Sequence, residues 1–180
     1  MKNDRINYRV QFYSYWHCGS GLAAGSDVDA LVIKDDDGLP FIPGKTIKGL
    51  IKQAVREIAD FKGLDLNMDD IFGSEGLKQS PLFFSDASME DAAAIKANNL
   101  QQYLYGSVSN TAIDEAGIAK EHSLRKTEVV LPCSLTGQII GIPSQEVNDL
   151  LVEALSYIKN MGLHRHRGFG RCRIVATFED

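Results

Sequence analysis

Two stretches of this chain carry the same apolar stripe. Behind Pro43, Ile47, Leu50, Ile51, Ala54, Val55 and Ile58 recur at helical spacing. Behind Pro143 and Ser144, the stripe returns at the same offsets as Val147, Leu150, Leu151, Ala154, Leu155 and Ile158. Each is one side of an amphipathic helix and has to be covered. The spacing predicts a first helix from Pro43 to about Ile58, and a second opened by Ser144 and Glu146 and ended by Gly162. Strand-like runs surround them. Residues 8–15 alternate, with Tyr8, Val10 and Phe12 on one side. Val28–Ile33 is a short second run, followed by an Asp35-Asp-Asp-Gly38 turn. Further strand candidates lie at Leu82–Ser85 and Leu124–Ile140. Arg171–Phe178 alternates again, with Cys172, Ile174, Ala176 and Phe178 together. The order is β-α-β-β-α-β, which predicts an α+β, ferredoxin-like domain with both helices on one face of an antiparallel sheet.

One such domain accounts for residues 1–180 except for about 86–123, a mixed segment that reads as an insertion. The three cysteines (18, 133, 172) are odd in number and form no CxxC pair, so reduced thiols in a cytoplasmic protein are expected. No apolar run has the length of a membrane span, and no signal peptide or membrane association is expected.

Charge is unevenly placed. The chain has 19 basic and 24 acidic residues, a net charge of −5, which argues against a general nucleic-acid coat. Yet the tract Gly162-Leu-His-Arg-His-Arg-Gly-Phe-Gly-Arg-Cys172 holds His164, Arg165, His166, Arg167 and Arg171 and no carboxylate. Arginines can pair with phosphate bidentately, and the Gly168 and Gly170 amides can approach one closely. A surface turn is the plainer alternative. Opposite the first apolar stripe, Lys45, Lys48, Lys52 and Arg56 form a basic helix side, which is either solvated or a second phosphate contact. His164 and His166 have no nearby Cys or carboxylate to complete a zinc set.

Four segments in order resemble the RAMP superfamily of CRISPR-associated proteins. They are His17-Cys-Gly-Ser-Gly21, Phe41-Ile-Pro-Gly-Lys-Thr-Ile-Lys-Gly-Leu50, Leu82-Phe-Phe-Ser-Asp-Ala87 and the Gly162–Arg171 tract. Within it the chain looks most like the repeating backbone subunit of type III effector complexes. The stretches 108–120 and 123–130 resemble the region that includes that subunit's thumb.

The resemblance implies a protein that binds guide RNA through its backbone, meets target RNA, and assembles with copies of itself and with other effector subunits. It implies RNA contacts from the loop of His17 and Gly19, from Lys45, Lys48 and Lys52, from Arg125, and from His164, Arg165, Arg167, Gly168, Gly170 and Arg171. In Gly25-Ser-Asp-Val-Asp-Ala30 it implies an aspartate that supports target-RNA cleavage. Asp29 is the better match and Asp27 the alternative, with a solvated turn as the plain reading. Mg²⁺ or another divalent cation at Asp29 would neutralise charge as the RNA's 2′-hydroxyl attacks the adjacent phosphate. Two other roles fit the same fold. One is an endoribonuclease that processes CRISPR precursor RNA with a histidine base, although such enzymes usually contain two ferredoxin-like units. The other is a non-catalytic subunit at the end of the filament.

Overall fold

A computed structural model describes residues 4–22, 28–74, 78–111, 117–118 and 123–177. In chain order the strands are β1 (Arg5–Phe12), β2 (Phe83–Phe84), β3 (Ser88–Met89), β4 (Tyr105–Asn110), β5 (Arg125–Val130), β6 (Ser134–Ile140) and β7 (Cys172–Thr177). The helices are α1 (Gly44–Lys62), α2 (Met68–Phe72), α3 (Ala92–Ala97) and α4 (Gln145–Tyr157). The main sheet is antiparallel in the order β2-β6-β1-β7, with β3 also on β6. Its four principal strands alternate with α1 and α4 in the ferredoxin-like order, as the paired stripes require.

Alternation decides which side of the sheet is covered. Ile6, Tyr8, Val10 and Phe12 of β1 are buried beside Leu135 and Ile139 of β6 and Ile174 of β7. From the helices come Ile47, Ile51, Val55 and Ile58, and Leu151, Ala154 and Leu155. Leu50, Val147 and Leu150 are half-buried at the margin of this core. The first helix runs a turn beyond the expected Ile58 and stops at Gly63, whose φ of 64° ends it in the left-handed conformation. At the second helix, the Ser144 hydroxyl accepts from the Val147 N–H at 3.3 Å. That helix ends at Tyr157, well before the expected stop at Gly162. Ile158 continues the apolar period but is extended (ψ 114°) and buried, so the periodicity outlasts the helix.

Two further expectations are corrected. Val28–Ile33 is not a strand. Its backbone bonds reach several different neighbours, from the Ile33 N–H to Cys18 and the Glu128 N–H to Ala30, and its bridges are single pairings. Arg125–Val130 does not join the main sheet. Leu131-Pro-Cys133 interrupts the long apolar run, and Pro132 has no N–H to continue a ladder. Thus β5 pairs with β4 in a separate hairpin, from Tyr105–Val130 to Asn110–Arg125. Between β3 and this hairpin lie α3 and a 3₁₀ turn at Gln101–Leu104.

The Ile42-Pro-Gly44 and Phe84-Ser-Asp-Ala87 segments interlock. Ile42 and Ala87 exchange both backbone hydrogen bonds, at 3.0 and 2.9 Å. The Gly44 N–H, one of the unpaired donors at the start of α1, donates to Asp86 Oδ1 at 2.7 Å. A Cβ on Gly44 would stand 2.1 Å from the Phe84 carbonyl oxygen, so no larger residue fits there without displacing backbone.

Candidate nucleic-acid interface

The other two motif segments interlock in the same manner. The Leu163 N–H donates to the His17 carbonyl at 3.0 Å, and the Gly170 N–H to the Tyr15 carbonyl at 2.7 Å. Met161 N–H returns a bond to Gly170 O at 3.0 Å. The cationic tract is therefore fastened to the loop that follows β1. This corrects one expectation: Gly170 is buried and its amide is engaged, so it is not available to a phosphate. Gly168 differs. It is exposed, with φ 86° and open space where a Cβ would project.

Arg165–Arg167 forms a single 3₁₀ turn with His164 before it. The Arg167 N–H closes it by donating to the His164 carbonyl at 2.7 Å. His164 and Arg167 accordingly fall on one side, in a cleft of about 640 Å³ shared with Asp29, Arg125, Asn110 and Thr127. Arg165 and His166 face elsewhere, into a groove with Leu50, Glu57 and Tyr157. Arg171 lines a third cleft with Tyr13. One basic run in sequence is thus three surfaces in space.

Asp29 is exposed and bracketed by one residue of the hairpin. Its N–H donates to the Lys126 carbonyl at 2.8 Å, and its Oδ2 accepts from the Lys126 N–H at 2.7 Å. The hairpin thus holds the Asp29 backbone and one of its carboxylate oxygens. Among the residues lining this cleft, Asp29 is the one carboxylate, facing Arg125, His164 and Arg167. Asp27, the alternative, lies outside the described residues.

His17 is buried, 2% exposed, with Nδ1 2.7 Å from the Glu128 carbonyl. A Cβ on Gly19 would stand 3.1 Å from its Nε2, so the glycine makes room for the ring. Both line a smaller cleft of about 350 Å³ that adjoins the first at Asp29 and Leu163. Lys45 is exposed at the start of α1, near Cys18, while Lys48 and Lys52 are half-buried further along; none of the three lines the Asp29 cleft.

His164 adopts φ 59° although it is not glycine, a conformation that costs on the order of 1 kcal/mol or more and tends to mark functional sites. Its ring meets Phe169 edge-on at 5.9 Å, and Phe169 meets Tyr15 at 6.5 Å. Sequence reasoning missed several supporting residues. Glu128 accepts from the Val32 N–H at 3.0 Å and from Lys34 Nζ at 2.8 Å, while Lys34 sits 3.9 Å over the Tyr105 ring. The Tyr105 hydroxyl donates to Gly38 O at 2.7 Å. These contacts join segment 28–42 to the hairpin, and no periodicity announces them.

Among the described residues no group of three or more His, Cys, Asp or Glu side chains is placed to hold a metal. The described residues by themselves do not form a cage for a resident ion. What does fit is a hydrated hard cation that takes one ligand from the Asp29 carboxylate and the others from water and phosphate.

Fold and cleft together define an α+β protein of ferredoxin-like topology with a cationic cleft where the hairpin meets the glycine-rich tract. The chain belongs to the RAMP superfamily, whose family model matches residues 9–173. No curated protein matches it. Among solved structures it resembles a chain of the type III-B Cmr-beta bound to cognate target RNA, determined by cryo-EM. The TM-score is 0.73 with 12% identity, over 96% of each chain. At that identity the likeness is one of fold. No described helix is long and apolar enough to cross a membrane.

Proposed function

We propose that this chain is a backbone subunit of a type III CRISPR effector complex in the cytoplasm, holding guide RNA and cutting the target RNA paired to it. The observation that carries this reading is the meeting of Asp29, Arg125, His164 and Arg167 in one cleft. Three cationic or proton-bearing groups surround one carboxylate, in a protein whose overall charge is negative. Such groups hold a nucleic acid by its phosphates and leave the bases free to pair. The Cmr-beta chain of the same fold belongs to a structure that contains target RNA.

The chemistry that suits the cleft is internal transesterification. The 2′-hydroxyl gives its proton to solvent as its oxygen bonds to the neighbouring phosphorus, the P–O5′ bond breaks as O5′ takes a proton from solvent, and a 2′,3′-cyclic phosphate and a 5′-hydroxyl result. Arg125 and Arg167 pair with phosphate oxygens and fix the strand. Asp29, held by Lys126, keeps its carboxylate at one place in the cleft. A divalent cation, when bound, supplies neutralisation of the charge that develops on phosphate.

The test is reconstitution with guide RNA and the other effector subunits, followed by target cleavage with Asp29→Ala and Arg167→Gln. Loss of cutting with retained guide RNA is expected for Asp29→Ala, and weaker RNA retention for Arg167→Gln. Undiminished cutting by Asp29→Ala would remove the catalytic assignment. A complex that carries no RNA would remove the whole reading.

A further inference from the structure

The cleft that receives Arg171 lies apart from Asp29. It has a volume of about 460 Å³ and is lined by Tyr13, Lys159, Arg171 and Arg173, with no carboxylate. Tyr13 is 55% exposed, so its ring is open to solvent at the cleft. None of the ion pairs among the described residues uses these three cations.

The backbone beneath them is fixed. Tyr13 N–H donates to Arg171 O at 2.8 Å, Arg171 N–H to Ser14 Oγ at 2.9 Å, and Cys172 N–H to Lys159 O at 2.8 Å. Pairing of Phe12 with Cys172 and of Gln11 with Arg173 sets the parity. The buried side chains Phe12 and Cys172 point to the core, so Tyr13, Arg171 and Arg173 point away from it, on the sheet surface the helices leave open.

We propose that this cleft is a second RNA-binding site, which takes a nucleotide of a single strand with its base on the Tyr13 ring and its phosphates on Lys159, Arg171 and Arg173. It rests on the RNA-binding role proposed above but uses none of that cleft's residues. A free aromatic face adjoining several cations is the combination that binds unpaired bases in sequence-tolerant fashion. A duplex hides its base faces, and an acidic peptide has no use for the ring. The two clefts draw on opposite ends of one tract, His164 and Arg167 at one and Arg171 at the other, where Arg173 of β7 joins it.

The test uses the full chain and a labelled oligouridine, read by fluorescence anisotropy across a salt series, together with photocrosslinking of 4-thiouridine. Tyr13→Leu is expected to weaken single-strand binding roughly tenfold. Arg173→Gln is expected to lower the log–log salt slope by about 0.7. The crosslink is expected on the peptide that contains Tyr13. Arg167→Gln serves as the control for the Asp29 cleft. If Tyr13→Leu and Arg173→Gln bind as the parent does, and no crosslink maps to Tyr13 while Arg167→Gln weakens binding, this site is refuted and the first reading stands. Equal displacement of the RNA by polyglutamate also refutes it, as a mere anion patch. Failure of the unmodified chain to bind RNA refutes both. Should Tyr13→Leu not fold, the crosslink on the unmodified chain decides.

Discussion

Replacing Gly168 and Gly170 in turn by alanine separates two reasons for having glycine in one tract. Both have positive φ, 86° and 65°. At Gly168 a Cβ meets nothing within 4 Å, so Gly168→Ala bears only the left-handed backbone cost, about 1–2 kcal/mol. At Gly170 the Cβ would stand 1.8 Å from Met161 O, a backbone atom that cannot swing aside. The tract must lift, breaking the Gly170–Tyr15 bond at 2.7 Å and the Met161–Gly170 bond at 3.0 Å. Two lost bonds with their buried polar groups add about 3–4 kcal/mol, for a total of about 4–6 kcal/mol. In a chain of 180 residues each kcal/mol moves Tm by about 2–4 °C. Thermal unfolding followed by circular dichroism should therefore fall by about 2–8 °C for Gly168→Ala and about 8–24 °C for Gly170→Ala. Equal losses, or a larger one at Gly168, would refute the assignment of Gly170 to packing.

Three other outcomes are expected. Asp29→Asn keeps an acceptor for the Lys126 N–H and should melt within about 1–2 °C of the parent yet fail to cut, whereas Asp29→Ala should lose both cutting and about 1 kcal/mol in urea unfolding. Asp86→Ala leaves the first donor of α1 unpaired and should lower stability by about 1 kcal/mol, with Asp86→Asn recovering most of it. Burial pushes Cys133 up to about 11 and Cys172 up to about 12 from an ordinary 9.0. Folded thiols then hold protons more tightly than unfolded ones, so this contribution is complete below pH about 9 and lost as pH rises through 11–12. Melting temperatures from pH 8 to 11 should decline at the alkaline end, and iodoacetamide at pH 8 should label these thiols slowly until urea is added.

The paired apolar stripes made the helices, the sheet and its covered side legible, because burial of one side repeats at 3.6 or 2 residues whatever the tertiary details. The hairpin was not legible. Its strand β5 has the same alternation as a core strand, and only Pro132 hints that it departs. The candidate cleft was legible residue by residue but not as a place. Asp29, Arg125, His164 and Arg167 were each named from sequence, yet nothing in the spacing says that they converge while Arg165 and Arg171 diverge. That division comes from a 3₁₀ turn and from the Gly170–Tyr15 bond, both set by tertiary contacts. His17 and Gly170 show the other side of this. Residue types suited to touching a ligand are here occupied in joining one loop to another.

The bracket between Asp29 and Lys126 has one more consequence. Asp29 takes its position from the hairpin, which stands apart from the main sheet, so the carboxylate is aimed by a part of the protein other than the one that carries the tract. Substitutions at Tyr105, Lys34 or Glu128, none of which lines the Asp29 cleft, would act as a change of sighting. They would leave the grip of Arg167 intact while turning the carboxylate, and Arg125 with it, off their mark.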